Sequence, residues 1–237
     1  MNWLRAIVIL TTCLLTSCLD CREEVWLNAD GSGRVDISYT IPAAVAKLQG
    51  GEEGLRKMLG KLLSETKELH STSYTVTTVS DRLTVRVKAA FDSALDLKNA
   101  SQASPLGQLP SSATHLSGIL EVKLRGRSLD LKRTISPGSA LPGVSFMPAS
   151  TFTGHRLSYI IHLPLAAKQS NATRIENGGK TLIWDFPLGK AIKQPVTTHF
   201  IAPIPIPGRA ILTMIFVLLL LLGLGSIIFR RLKRISL

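Results

Sequence analysis

Few residues in this chain of 237 have the types and spacing that chemistry needs. Its three cysteines, Cys13, Cys18 and Cys21, all lie near the start. Cys18 and Cys21 have the C-x-x-C spacing used in thiol exchange and zinc binding. No second ligand pair accompanies them and no βαβ unit follows, so neither use is expected. Ser64-Glu65-Thr66-Lys67 fits the S-x-x-K pattern of an acylated serine, with near matches to its partner motifs at Ser80-Asp81-Arg82 and Lys180-Thr181-Leu182. Such a serine begins a helix, where backbone amides help it. Ser64 instead falls near a helix end beside Glu65 and Glu68, and the partner motifs lack their Asn and Gly. The histidines, His70, His115, His155, His162 and His199, share no ligand spacing. His155 and His162 are an odd number of residues apart on one strand and so point to opposite faces. No Gly-rich loop follows a strand to cradle phosphate. No catalytic residue, no metal site and no cofactor are therefore expected.

The cysteines fit a different chemistry. Arg5 precedes a short apolar stretch, Ala6–Leu15, and then comes Leu15-Thr16-Ser17-Cys18. This resembles a bacterial lipobox, in which cleavage leaves the Cys as the first residue, carrying lipid. Residues 1–17 read as the signal and Cys18 as the lipidation site; an ordinary signal peptide containing Cys is the alternative. Cys21 is then an odd thiol, either free or paired between chains. Without lipidation, a Cys18–Cys21 disulfide is open to it outside the reducing cytosol.

At the other end, residues 210–229 carry no charge and are followed by Arg230, Arg231, Lys233 and Arg234. About 20 apolar residues suffice to cross a bilayer core as a helix. The pattern predicts a transmembrane helix with the basic tail, 230–237, in the cytoplasm. Residues 201–209, rich in Pro, read as a stalk, and residues 18–200 as one exported domain. The whole chain has a net charge of +12. Six of its basic residues, Arg5, Arg209 and the tail cations, lie outside that domain, leaving it an excess of +6. Such an excess near a bilayer suits anionic headgroups, and equally a generally basic surface. Nucleic acid is not an expected partner, because no basic cluster is interleaved with aromatics.

Within the domain, period-2 runs predict strands. Val25 and Leu27, the turn Asp30-Gly31-Ser32-Gly33, and Val35, Ile37 and Tyr39 read as a hairpin. A second hairpin joins Tyr74–Val79 to Arg82–Phe91, with Leu83, Val85, Val87, Ala89 and Phe91 facing one way. A third turns at Gly126-Arg127 between Ile119–Leu124 and Leu129–Ile135. Further strands are expected at His155–Leu163, Ala172–Glu176, Thr181–Phe186 and Val196–Ile201, with Asn177-Gly178-Gly179 as a turn. Glu52–Leu69 reads as the main helix, with Leu55, Met58, Leu59, Leu62 and Leu69 along one face. Together these predict an α+β domain: an antiparallel sheet of hairpins packed by one main amphipathic helix, with one C-terminal transmembrane helix.

Residues 136–154 have no period yet carry Phe146, Met147 and Phe152. Long apolar loops of this kind cover pockets, dip into lipid, or tuck into their own core. Arg125, Arg127, Lys132 and Arg133, on the hairpin just before, are candidate contacts for an anionic headgroup.

Two stretches, Cys21–Tyr39 (CREEVWLNADGSGRVDISY) and Leu163–Pro203, resemble the LppM-like lipoproteins of the bacterial envelope. The resemblance implies an α+β domain and an apolar ligand, and it supplies no catalytic residues. The expectation is a non-enzymatic envelope lipoprotein binding membrane lipid or another apolar envelope molecule. Its predicted place is the bacterial cytoplasmic membrane, single-pass, with the body on the outer face. A structural protein docking envelope protein partners is the second reading, and an envelope enzyme the third.

Overall fold

The computed structural model describes residues 20–47, 50–94, 118–140 and 148–205. The first hairpin pairs β1 (Asp20–Leu27) with β2 (Gly33–Pro42), Val25 opposite Val35. Its turn is held by the Asp30 carboxylate, which accepts from the Ser32 amide at 3.0 Å and the Ser32 hydroxyl at 2.7 Å. Gly31, at φ 90, supplies the left-handed residue that this turn needs. A short helix α1 (Ala43–Lys47) leads to α2 (Gly51–Glu65), whose first turn carries Glu52 and Glu53, favourable to the helix dipole. Helix α2 ends earlier than its apolar pattern suggests. Thr66 turns into an extended conformation and its hydroxyl donates to the Leu62 carbonyl at 2.8 Å.

Strands β3 (His70–Val79) and β4 (Arg82–Phe91) form the second hairpin, and β4 pairs with β2 along its whole length. β5 (Ile119–Arg125) and β6 (Ser128–Ile135) form the third. After a helical turn α3 (Pro137–Ala140) and a 3-10 turn (Ala149–Phe152) come β7 (Arg156–His162), β8 (Gln169–Ser170), β9 (Arg174–Glu176) and β10 (Thr181–Pro187). A last helical turn α4 (Leu188–Ala191) precedes β11 (Val196–Pro203).

These strands make two sheets. The larger has the order β3-β4-β2-β1-β7-β10-β9, and the smaller β5-β6-β11-β8. β1 runs parallel to β7, with Glu23 beside Tyr159, so the larger sheet is mixed. The sheets share one core: Leu157, Leu182 and Trp184 from the larger meet Leu131, Ile135 and Phe200 from the smaller. The rings of Trp184 and Phe200, both fully buried, stand 6.4 Å apart at 44°. Burying each such side chain is worth about 1.5–3 kcal/mol. Asn171 ties the layers at the edge, accepting from Trp184 Nε1 and the His199 amide, each at 2.7 Å. Helix α2 covers only one corner, where Leu55 packs with Val76 and Leu83.

The expected α+β architecture is therefore corrected to a mainly β body of two sheets. A second sheet, not the main helix, shares the main core with the larger sheet, and the larger sheet is not purely antiparallel. The β1–β7 pairing joins residues too far apart in sequence for local periodicity to show it. The expected transmembrane helix, and the single-pass localisation that rests on it, have no counterpart among the described residues. Among the described residues no helix is long and apolar enough to cross a membrane. Helix α2 has 15 residues and carries Arg56, Lys57 and Lys61, whereas a span needs about 20 apolar ones. Residues 210–229 and 230–237 lie outside the described residues.

Candidate functional site

Alternation along β1 sends Cys21, Glu23, Val25 and Leu27 to the inner face of the larger sheet. Glu23 is thus an acid in a row of otherwise apolar positions, and its side chain is only 7% exposed. Arg133 meets it from the inner face of the smaller sheet. Arg133 Nη1 donates to Glu23 Oε2, and Nη2 donates to Oε1 at 3.2 Å. The Tyr39 hydroxyl, from β2, also donates to Oε1, and the Cys21 thiol lies 3.9 Å from the same oxygen. Beneath the guanidinium, 5.2 Å away, lies the ring of Tyr159 from β7. One carboxylate thus gathers groups from four strands and both sheets.

The electrostatics follow from burial. Burial, then the charge of Glu23, pushes the Cys21 thiol well above its ordinary range. Burial likewise raises both phenols, Tyr39 and Tyr159, with the thiol and Glu23 adding to it. Burial works against the charge on Arg133, but Glu23 more than offsets it, so the guanidinium is held firmly cationic. The cluster is a salt-bridged pair wrapped in neutral hydroxyls and a protonated thiol. A thiol in that state is a poor nucleophile.

Beside the pair lies an apolar floor. Glu23 is opposite Ile37, Ile37 opposite Val87, and Val25 opposite Val35, all on the inner face. Val25, Val35, Ile37 and Val87 are only half-buried, and they belong to neither the core shared by the sheets nor the helix-covered corner. The smaller sheet borders this floor on one side and the α2 corner on the other. Phe91, buried at the end of β4, closes it toward the first turn, with its ring over Gly33. The floor and the salt bridge together make an amphipathic surface, with apolar side chains beside fixed charges.

The residues singled out from the sequence are placed apart. Cys18, Phe146 and Met147 lie outside the described residues. Phe152 sits on the 3-10 turn with its side chain buried in the shared core. Arg125 is exposed and pairs with Asp130 at 3.1 Å, Arg127 is exposed on the β5–β6 turn, and Lys132 faces outward toward Glu121 at 3.8 Å. Lys132 and Arg133 are neighbours on β6 and point to opposite faces, so the four cations do not converge on one headgroup. Cys21, the odd thiol, is free and buried. Among the described residues no group of His, Cys, Asp and Glu could hold a metal ion. Sequence reasoning passed over Glu23 and Tyr39. The available signal was the acid at an inward position between Cys21 and Val25.

A separate shallow cavity of about 520 Å³ opens by Trp26, Arg34, His70 and Asp92, with no lining residue from the Glu23 cluster. There the Trp26 ring is flanked by Arg34, 4.3 Å from its centre, and by a parallel His162 ring at 5.1 Å. Both neighbours occupy the ring, which removes it as a free stacking platform.

No family model matches this chain, and no curated protein matches it. Among solved structures, the NMR structure of the folded domain of Mycobacterium tuberculosis LppM matches with a TM-score of 0.51. The match covers 81% of this chain and 92% of that one, at 13% sequence identity. The fold is LppM-like. At that identity the likeness is one of fold alone. The match spans most of the described residues, so it concerns the two-sheet body that holds the floor and the salt bridge.

Proposed function

We propose that this chain is an envelope lipoprotein whose domain binds lipid, or another apolar envelope molecule, by laying an aliphatic chain on the floor of Val25, Val35, Ile37 and Val87. One observation carries the reading: these side chains on the inner face of the larger sheet lie outside both packed clusters while a fixed salt bridge stands beside them. Binding sites for small ligands are mostly apolar with a few placed polar groups, and this surface has that composition. The LppM-like fold and the lipobox-like sequence at Cys18 support the envelope assignment. The protonated Cys21 and the clamped Glu23 favour binding without a catalytic step.

The test is uptake of a fluorescent fatty-acid analogue by the full chain in detergent, compared with Ile37→Asp. A carboxylate on the floor should weaken uptake about tenfold or more, since an apolar chain cannot solvate it. Ile37→Ser, less severe, keeps the result readable if the Asp variant does not fold. Uptake unchanged in a folded variant would overturn the assignment of the floor.

A further inference from the structure

One end of the smaller sheet combines exposed apolar side chains with cations. Leu124, next to the last residue of β5, is 56% exposed, and Ile204, just past β11, is 36% exposed. They flank the same end of β6: Leu124 is opposite Leu129, Pro203 opposite Ser128, and the Ile204 amide donates to the Arg127 carbonyl at 2.9 Å. Lys168 joins the same end, its ammonium 2.9 Å from the Ser128 hydroxyl and its amide 2.7 Å from the Ile201 carbonyl. The segment just before it brings exposed Leu165, and Ala167 donates to the Gly179 carbonyl at 2.9 Å, which places Lys180 close by. Arg125, Arg127, Lys168 and Lys180 are all exposed. Asp130 is covered and engaged by Arg125 and by His199 at 2.9 Å, while Glu176 is engaged by Arg174 at 3.5 Å.

We propose that this end docks the domain on an anionic lipid bilayer. Leu124, Leu165 and Ile204 enter the headgroup layer, and the four cations meet lipid phosphates. Charge complementarity selects the partner, because each well-placed cation near an anionic surface adds to binding while apolar tips provide purchase at the interface. No bilayer-crossing helix is needed for this contact, and it is independent of the aliphatic floor, which faces the interior.

The experiment is amide hydrogen exchange on the full chain, mixed with vesicles of phosphatidylcholine alone or with phosphatidylglycerol added. Amides of residues 124–127 should slow about tenfold on the anionic vesicles and little on the neutral ones. The β3–β4 turn at Ser80-Asp81 serves as the internal control and should not change. Arg125→Gln with Arg127→Gln should bring exchange back to within about twofold of the lipid-free rate, as should high salt. Ile37→Asp should leave this protection intact, which separates failure of the floor from failure of the face. Equal slowing on both vesicle types would overturn the role of charge. No slowing, with the variants folded by circular dichroism, would overturn the docking face.

Discussion

Arg133→Met is the substitution that most sharply probes the salt bridge between the sheets. Methionine keeps the length and the apolar stem but removes the guanidinium's donors to Glu23. The carboxylate then retains Tyr39 and the Cys21 thiol but loses its bidentate partner in a site where its side chain is 7% exposed. Breaking one side of a buried pair costs roughly 3–5 kcal/mol, because a charge is left without compensation. Loss of the guanidinium over Tyr159 adds about 0.5–2 kcal/mol. Against a typical total of about 5–15 kcal/mol, this removes much of the stability. With a urea slope of roughly 2–3 kcal/mol per molar, the unfolding midpoint should fall by about 1–3.5 M. The assay is urea unfolding of the full chain in mild detergent, followed by fluorescence of the buried Trp184. A companion variant decides the cause. Glu23→Leu with Arg133→Met removes both charges and should recover most of the loss, to within about 1–2 kcal/mol of the native chain. A single variant costing under about 1 kcal/mol, or a double as unstable as the single, would refute the reasoning.

Two further outcomes follow from the same region. Because the thiol and both phenols ionise only above their ordinary ranges in the folded state, the unfolded chain loses their protons first as pH rises. Stability should therefore be whole below about pH 9 and fall above it. Cys21→Ala should delay that fall toward the tyrosine range near pH 10, as read by thermal unfolding across pH. At Gly33 a Cβ would meet the Trp26 carbonyl and the Phe91 ring, so Gly33→Ala should cost about 1–3 kcal/mol in the same denaturation assay.

Local pattern carried much of this fold. The hairpins turning at Gly31, at Ser80-Asp81, at Gly126 and at Asn177-Gly178-Gly179 were all readable, because period-2 alternation and turn residues act over a few positions. The assembly of those hairpins was not readable. β1, ending at Leu27, finds β7, which begins only at Arg156, and nothing in either strand's alternation states its partner or direction. The same distance hid the site. Arg133 looked like a surface cation beside Lys132, and only pairing of β6 with β11 under the larger sheet turns it inward onto Glu23. Glu23 itself sat at an inward position, and an acid there implies a buried counter-charge that the sequence does not name. Helix α2 was legible as an amphipathic element, but its share of the core was overread, since a second sheet competes for the same face.

Photo-crosslinking tests the lipid-binding floor most directly. A fatty-acid probe with a diazirine near the end of its chain is bound to the full chain, irradiated, and mapped by peptide mass spectrometry. Adducts should concentrate on the strands that form the floor, at Val25, Val35, Ile37 and Val87, and should fall about tenfold in Ile37→Asp. Adducts spread over the exposed surface, or unchanged in the folded variant, would contradict an aliphatic chain lying between the sheet and its two covers.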